Sequence, residues 1–187
     1  MLAVPYLFPR SPGLPTPDPR FSQALHSAGA EAIGPVPGLP RLRFDWAGDF
    51  SEGLAPVQVD GRFGYIDTSG GFRIKPGFAY AGGFSCGRAP ALMNGRWGYL
   101  DATGAVAIPA AYDWAGAFSE GLAPVVADSA YGYIDTTGAF AGPLRFSDAR
   151  PYSGGYAAVR FGDAENGAWG FVDRQGGLHD LLIAHRR

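Results

Sequence analysis

The sequence has little cysteine and little charge, and it has no long apolar run. Cys86 is the single cysteine among 187 residues, so no disulfide can form within the chain. Charged residues make up only 17% and the formal net charge is −2, which gives no basic field to attract nucleic acid or an anionic membrane. No apolar stretch approaches a bilayer span, and the start lacks the pattern of a signal peptide. We therefore expect a cytoplasmic protein that neither binds nucleic acid nor inserts into a membrane.

Glycine, proline and aromatic residues are abundant instead. The sequence contains 29 glycines and 16 prolines, and aromatic residues make up 14%. A disordered chain would show the opposite balance, with few aromatics and many charges. Frequent turn residues between aromatic and branched residues are typical of short strands joined by tight turns. We therefore expect an all-β fold.

A period of 34 residues runs through most of the chain. Glycines and aspartates recur at this spacing, and a delay of four residues before the last copy indicates an insertion around residues 162–166. The recurring residues are Gly64, Gly98, Gly132 and Gly170, together with Asp67, Asp101, Asp135 and Asp173. Such self-similarity is the signature of a repeat architecture. It predicts four copies, at residues 44–77, 78–111, 112–145 and 146–178.

The two ends of the chain are less regular. Residues 1–43 read as a degenerate additional copy that carries a proline-rich loop at 11–20, since atypical end units are expected in repeat proteins. Residues 179–187 contain a compact apolar cluster. We interpret this tail as a closing strand or cap over the last copy, with a docking peptide for a partner as the alternative. All copies together are expected to form a single structural domain.

Turn signals within one copy predict a three-stranded antiparallel meander. Asp60-Gly61 is typical of a two-residue type I′ hairpin turn, and it fixes the register of strands at 54–59 and 62–67. Asp67-Thr68-Ser69-Gly70 reads as a second turn before a short third strand at 72–74.

Proline recurs within the first of these predicted strands, at positions 56, 90 and 124. A proline cannot donate a hydrogen bond to a neighbouring strand. The first strand of the meander is therefore expected to be a sheet edge at this position.

Both faces of the meander are apolar. One face carries paired aromatics such as Trp97 and Tyr99, and the other carries a glycine between small aliphatic residues. A single antiparallel sheet in water has one polar face, so each copy must be covered by its neighbours. We expect a stacked solenoid or superhelix, with a closed propeller-like ring as the alternative. The recurring glycine, Gly98 in the second copy, is expected to make room for an aromatic ring of the adjacent copy.

The second copy and the start of the third carry a specific set of spaced motifs. It comprises Trp97-Gly98-Tyr99-Leu100-Asp101, Gly104, Ile108-Pro109, Tyr112 and Phe118-Ser119-Glu120-Gly121-Leu122-Ala123. This set resembles the WG β-repeat family of bacterial proteins, and the resemblance extends over residues 44–178. Only Trp97-Gly98 and Trp169-Gly170 keep the tryptophan-glycine pair. The resemblance implies repeats that act as interaction modules without a common catalytic activity.

The polar residues form no pattern that indicates catalysis or metal binding. The four recurring aspartates fit a turn-capping role in Asp-x-x-Gly better than calcium binding, which needs several oxygen ligands around one ion. The histidines lack the spacing of metal ligands, and Cys86 has no signature of an activated thiol. We therefore expect no enzyme activity, no cofactor and no metal.

Tryptophan and arginine residues are the remaining binding candidates. The recurrence of the tryptophans favours packing in the core, but any that stay exposed could contact a ligand. Trp46 and Trp114, with Arg62 and Arg96 near turns or strand ends, are the candidates for such contacts. The expected function is a non-catalytic module for protein–protein interaction or scaffolding. The alternative is binding of a glycan or cell-envelope ligand through exposed repeat aromatics.

Overall fold

The described part of the chain is built from β-strands. The computed structural model describes residues 44–143, 145–162 and 166–179. Backbone contacts divide the chain into units Met1–Arg41 and Leu42–Arg187, and all described residues lie in the second. These residues form fifteen strands, and no helix among them is long and apolar enough to cross a membrane. The predicted N-terminal copy and the tail beyond His179 lie outside the described residues.

Four antiparallel sheets follow one another along the chain, and strand order within each sheet is sequence order. The first sheet contains β1 (Trp46–Ala47), β2 (Leu54–Val59), β3 (Arg62–Asp67) and β4 (Phe72–Phe78). The second contains β5 (Tyr80–Ala81), β6 (Ala89–Met93), β7 (Arg96–Leu100) and β8 (Val106–Tyr112). The third contains β9 (Trp114–Ala115), β10 (Leu122–Ala127) and β11 (Ala130–Asp135). The fourth contains β12 (Asp148–Ala149), β13 (Tyr156–Phe161), β14 (Ala168–Asp173) and β15 (Leu178–His179).

The tandem all-β fold is confirmed, and each sheet begins with a strand that the sequence did not indicate. The three strands predicted for the first copy are present as β2, β3 and β4, and β4 continues to Phe78. They are preceded by β1, which has only two residues and is too short to show the alternation from which strands are predicted. None of the four sheets closes into a barrel, and their tandem order fits a solenoid.

The two-residue hairpin turns set the register as predicted. Asp60 and Gly61 have positive φ angles of 50° and 72°, which a type I′ turn requires at both positions. Asn94 and Gly95 repeat this conformation in the second sheet. The resulting pairs in the first sheet are Val59↔Arg62, Val57↔Gly64 and Ala55↔Ile66.

The hydrophobic core lies at the junctions between successive sheets. At the first junction, Phe63 and Tyr65 of the first sheet share a buried cluster with Ala89, Ala91 and Leu100 of the second. The aromatic face of one copy therefore packs on the small aliphatic face of the next, as the two apolar faces predicted. The second and third junctions repeat this arrangement. Since sheets that pack face to face exclude water from both surfaces, most of the hydrophobic stabilisation arises between copies.

The predicted role of the repeat glycine as a socket for a neighbouring aromatic ring is wrong. A Cβ atom on Gly98 would lie 2.6 Å from the Ile108 carbonyl oxygen and 2.8 Å from the Ala110 nitrogen. Gly64 faces the backbone of β4 in the same way. The register shifts between Trp97↔Tyr112 and Tyr99↔Ile108, and such a β-bulge folds the extra backbone over the strand. The glycine is therefore needed within its own sheet.

A different glycine receives a side chain from the neighbouring copy. Ile74 packs on Gly104, where a Cβ would lie 3.1 Å from its Cγ2 atom, and Ile108 packs on Gly138 at 3.0 Å. Gly104 has a φ angle of 89°, so both its conformation and its surroundings disfavour a side chain. The third copy has Gly142 in place of this isoleucine, so the third junction lacks the contact.

Each junction is also joined by a tyrosine hydroxyl. Tyr99 Oη donates a hydrogen bond to the Gly116 carbonyl oxygen at 2.8 Å. Tyr65 and Tyr133 make the same contact across the first and third junctions, at 2.6 Å and 2.7 Å. Burial raises the pKa of the Tyr99 phenol well above its usual range, so the hydroxyl stays protonated and remains a donor. In the last copy the equivalent residue is Phe171, which has no hydroxyl.

The proline of the second strand, Pro56 in the first sheet, lies next to the end of the pairing between β1 and β2. Since β2 has β1 on one side and β3 on the other, it is not an edge strand. The two residues of β1 pair with Gln58 and Val57, and Gly48 then donates to the Pro56 carbonyl oxygen at 2.9 Å. The prediction of an edge is therefore wrong for the strand as a whole. The absent N–H of Pro56 costs little because the short first strand ends beside it.

Candidate binding surface

One aspartate holds the turn after the third strand in each sheet. In the second sheet, Asp101 Oδ1 accepts hydrogen bonds from Thr103 N at 2.9 Å, Thr103 Oγ1 at 2.6 Å and Ala105 N at 3.1 Å. Asp67 and Asp135 make equivalent contacts. Asp173 accepts from Gln175 N and Gly177 N, and its Oδ2 lies 2.7 Å from His179 Nε2. These turns set the direction of the chain and so place the residue that follows them.

The aspartate turns predict a loss of stability in acid. Hydrogen bonds from Thr103 lower the pKa of Asp101 below its ordinary value of 3.8, and Asp67, Asp135 and Asp173 shift in the same direction. A carboxylate with a lower pKa in the folded state stabilises the fold above its unfolded-state pKa and loses this effect as the pH falls through its folded-state pKa. The melting temperature should therefore be flat near neutral pH and fall below roughly pH 4, as measured by circular dichroism.

A variant with all four of these aspartates changed to asparagine is the control for this prediction. Asparagine keeps an oxygen acceptor but does not titrate. The variant should melt at a lower temperature at neutral pH and show a shallower fall in acid. An equally steep fall in both proteins would mean that other carboxylates cause it.

The residue after each aspartate turn is large, apolar and exposed. Phe72, Val106 and Leu178 begin the fourth strands of their sheets, and Phe140 occupies the same position in the third copy through an isolated bridge with Ile134. Their exposed fractions are 36%, 55%, 52% and 48% respectively. We call Phe72, Val106, Phe140 and Leu178 the apolar column.

Each member of the apolar column lies beside a buried residue of the neighbouring strand. Its members pair with Ile66, Leu100, Ile134 and Val172 of the third strands, all of which are buried. Phe72 also meets Phe44 edge to face, with ring centroids 6.2 Å apart, and Phe140 meets Tyr112 at 6.3 Å. One edge of each ring is thus fixed by packing while the remainder faces solvent. Because an exposed apolar residue recurs at one strand position of every described copy, the apolar column is a candidate contact surface.

The predicted binding tryptophans pack mainly on other rings. Trp46 lies 5.7 Å from Phe63, and this contact continues through Tyr80 to Trp97 with centroid distances of 5.0 Å and 5.3 Å. Trp114 lies 5.9 Å from Tyr131 at the equivalent position of the third sheet. Because these rings are half-buried and tilted against one another, their faces are occupied by neighbouring side chains.

The two predicted arginines lie beside these rings, at the starts of the third strands. Arg62 is exposed at the first position of β3. Arg96 pairs with Asp113, the residue before Trp114, and also donates to the Ala111 carbonyl oxygen at 3.2 Å. An exposed pair of this kind contributes little to stability, so Arg96 stays free to exchange its partner.

Trp169 differs from the other tryptophans because 49% of its side chain is exposed. Its equivalents, Phe63, Trp97 and Tyr131, are covered by the following copy. The Arg150 guanidinium lies 5.4 Å from the centroid of the Trp169 ring, a distance typical of a cation–π contact. Trp169 was predicted as a repeat-packing residue, and in the described structure it is the most exposed aromatic of its repeat position.

A cavity of 190 Å³ on the last sheet is lined by Phe161, Gly170, Phe171, Leu178 and His179. No polar or charged side chain is buried within the described ranges. The same part of the chain contains no group of His, Cys, Asp and Glu side chains that could hold a metal ion. The candidate binding features described above are exposed residues on the sheets.

Sequence reasoning missed the apolar column although a signal was present. Large apolar residues follow the Asp-x-x-Gly turn of every copy, but a strand predicted at 72–74 does not by itself indicate whether Phe72 is covered. Where a fourth strand is present, it is the last strand of its sheet, so its first residue pairs with the third strand and has no strand of that sheet on its other side. The relevant pattern is a recurring apolar residue on a sheet edge.

The comparisons with known proteins agree with the repeat organisation. A family model described as WG containing repeat matches residues 41–63, 63–97, 97–129 and 131–163. The matched segments meet at or next to Phe63, Trp97 and Tyr131, the aromatic residues that precede the repeat glycines in the third strands. No curated protein and no solved structure matches the chain.

Proposed function

The chain belongs to the family of WG-containing repeat proteins, and we propose that it is a non-catalytic module that binds another protein through the apolar column. The observation that carries this proposal is the recurrence of an exposed apolar residue at one strand position in all four described copies. Other recurring apolar positions, such as those of Tyr65 and Tyr99, lie in the buried clusters between the sheets. A residue that recurs but is not used for stacking is free to contact a partner.

The arrangement of the apolar column suits an extended partner. Tyr80 lies 5.0 Å from Phe63 and 5.3 Å from Trp97, so equivalent rings of the first two sheets are about 10 Å apart at most, close to the usual distance between packed sheets. A partner that runs along the stack can therefore meet one apolar residue per copy. Several modest contacts of this kind add up to a specific interface without a deep pocket.

Glycan binding is the second candidate function, and Trp169 is the observation that favours it. An exposed indole ring is a suitable platform for the apolar face of a sugar, and Arg150 lies beside it to donate hydrogen bonds. This site is confined to the last sheet, because Trp46, Trp97 and Trp114 are half-buried. Phe171, two residues along the same strand, is exposed as well, so this site offers two rings on one sheet and is less extended than the apolar column.

The double variant Phe72→Ser, Phe140→Ser tests the protein-binding proposal. The full chain is immobilised, native-host extract is passed over it, and bound proteins are quantified by mass spectrometry. Loss of two anchor residues that each contribute about 1 kcal/mol should lower the amount of a specifically bound protein roughly tenfold or more. Because both side chains are exposed, the melting temperature should change little.

Phe50→Ser is the matched control for this experiment. Phe50 is 53% exposed but does not belong to the apolar column. The control should retain the bound protein at the wild-type level. Equal retention by the double variant would overturn the proposal, and a glycan-array signal that disappears in Trp169→Ala would transfer the function to the second candidate.

A further inference from the structure

The turn between the first and second strands presents two backbone N–H groups in each sheet. Two successive residues there adopt positive φ angles, which makes the N–H groups converge on one side. These residue pairs are Glu52-Gly53, Cys86-Gly87, Glu120-Gly121 and Gly154-Gly155. Such concave backbone sites bind anions, including carboxylates.

At two junctions a carboxylate of the preceding sheet fills this site. Glu52 Oε2 accepts a hydrogen bond from Gly87 N at 2.9 Å across the first junction. Glu120 accepts from both Gly154 N at 2.7 Å and Gly155 N at 2.9 Å across the third. The structure itself thus shows which chemical group this turn receives.

The second junction lacks the carboxylate. Cys86 stands where the first and third copies have Glu52 and Glu120, and no hydrogen bond in the described ranges joins the Glu120-Gly121 amides to the preceding sheet. The neighbouring serine differs as well. Ser51 and Ser119 donate across their junctions to the Phe84 and Tyr152 carbonyl oxygens at 2.7 Å, whereas Ser85 Oγ lies 3.9 Å from Cys86 Sγ.

Two arginines flank the turn from opposite sides. Arg88 of the second sheet donates from Nε to the Thr136 carbonyl oxygen at 3.2 Å, and the pairing of Leu122 with Asp135 places Thr136 beside Gly121. Arg174 of the fourth sheet donates to the Glu120 carbonyl oxygen. Its Nη2 atom lies 3.5 Å from the position that a Gly121 Cβ would take. The Glu120-Gly121 turn is thus bordered by a positively charged side chain on each side.

The acidic groups near this turn are already engaged. Asp101 and Asp135 accept hydrogen bonds in their own turns, and Glu120 points to the following sheet, where it binds Gly154 and Gly155. Because each of these carboxylates already accepts hydrogen bonds from other donors, none of them occupies the Glu120-Gly121 amides.

We propose that the Glu120-Gly121 turn is a binding site for a carboxylate supplied from outside the chain. The ligand is an aspartate or glutamate side chain, or a chain terminus, of a bound protein or peptide. It would accept hydrogen bonds from the Glu120 and Gly121 N–H groups, with Arg174 and Arg88 alongside. The site does not depend on the apolar column, and a partner that engages both would add a charged contact to the apolar ones.

The test is a titration of the isotope-labelled full chain with sodium acetate, followed by amide chemical shifts. Sodium chloride keeps the ionic strength constant. The Glu120 and Gly121 amides should shift saturably, and the shift should persist in Cys86→Ala. In Cys86→Glu the new carboxylate occupies the turn from within the chain, so the saturable shift should vanish and the melting temperature should rise above that of Cys86→Gln.

Two further experiments test whether the carboxylate group itself is recognised and whether Arg174 contributes to binding. N-acetylglycine should reproduce the acetate effect and N-acetylglycinamide should not, which makes the carboxylate itself the ligand. Arg174→Gln should weaken acetate binding by roughly two- to fivefold, the usual range for one exposed ionic contact. The proposal is overturned if the two amides show no saturable shift in the wild-type chain, if Cys86→Glu retains it, or if inorganic phosphate alone produces it.

Discussion

Gly98→Val is expected to lower the free energy of unfolding by about 3 kcal/mol or to prevent folding, the upper range for overpacking a core. The added Cβ would lie 2.6 Å from the Ile108 carbonyl oxygen and 2.9 Å from the Ala110 Cα atom. Both atoms belong to backbone, which cannot move aside as a flexible side chain can. The bulged part of β8 would have to leave β7, and the pairs on either side of the bulge would be lost. Urea denaturation followed by circular dichroism measures the effect.

Gly170→Val is the matched control, because Gly170 occupies the same repeat position in the last sheet. Among the described residues, the nearest atom to its added Cβ would be Phe161 Cε2 at 3.5 Å, which is an ordinary contact. We expect a change within about 1 kcal/mol, since valine suits a strand and meets no backbone of the described residues. If both substitutions destabilise the chain equally, the close approach of β8 to Gly98 is not the reason for the glycine.

Tyr99→Phe is expected to lower the free energy of unfolding by about 1–3 kcal/mol, the cost of leaving a buried polar group without its partner. The substitution keeps the ring and removes the hydroxyl that donates to the Gly116 carbonyl oxygen at 2.8 Å. Tyr99 is fully buried, so water cannot replace the donor. The measurement is again urea denaturation, and the slope of the transition should stay unchanged because the same surface is exposed on unfolding.

Phe171→Tyr is the reciprocal substitution at the end of the described repeats. Phe171 is part-exposed, so an added hydroxyl can bond to water and should leave stability unchanged within about 0.5 kcal/mol. The pair of substitutions separates the hydrogen bond across a junction from the general effect of a phenol in this position. Equal stability of Tyr99→Phe and the wild-type chain would show that the hydroxyl does not join the sheets.

Short-range chemistry made much of the fold predictable. Asp60-Gly61 determines a hairpin turn by itself, and the register of β2 and β3 follows without knowledge of the rest of the chain. Because both faces of each sheet are apolar, the sequence also predicted that neighbouring copies cover the sheet on both sides. The two-residue strand β1 could not be predicted in this way, because its pairing depends on where the preceding junction places the chain.

The prediction for the repeat glycine failed because a period in the sequence does not distinguish contacts within a copy from contacts between copies. Gly64 and Gly98 recur at 34 residues whether the nearby atoms belong to the same sheet or to the next one. The bulge that covers Gly98 depends on a register shift between β7 and β8. No turn residue in the sequence predicts this shift. Conversely, Gly104 belongs to a predicted Asp-x-x-Gly turn and also receives Ile74 of the neighbouring copy.

The candidate surface was predictable only in part. Recurrence correctly indicated that tryptophans such as Trp97 would pack against other rings, and it gave no reason to single out Phe72. Exposure depends on the position of a strand within its sheet, which the sequence does not state directly. The carboxylate site depends on a comparison between junctions, since Cys86 becomes informative only once Glu52 is seen to contact Gly87.

The second and third junctions each lack a contact that the first junction has, and this has a consequence for how the copies can be arranged. The second junction has no glutamate that accepts hydrogen bonds from the turn amides, and the third has no isoleucine packed on the turn glycine. The last copy has a phenylalanine in place of the tyrosine whose hydroxyl bonds to the next copy. Exchanging two copies, or deleting one, would bring mismatched edges together. The copies are therefore not interchangeable modules, and their order along the chain is itself encoded in the chemistry of their edges.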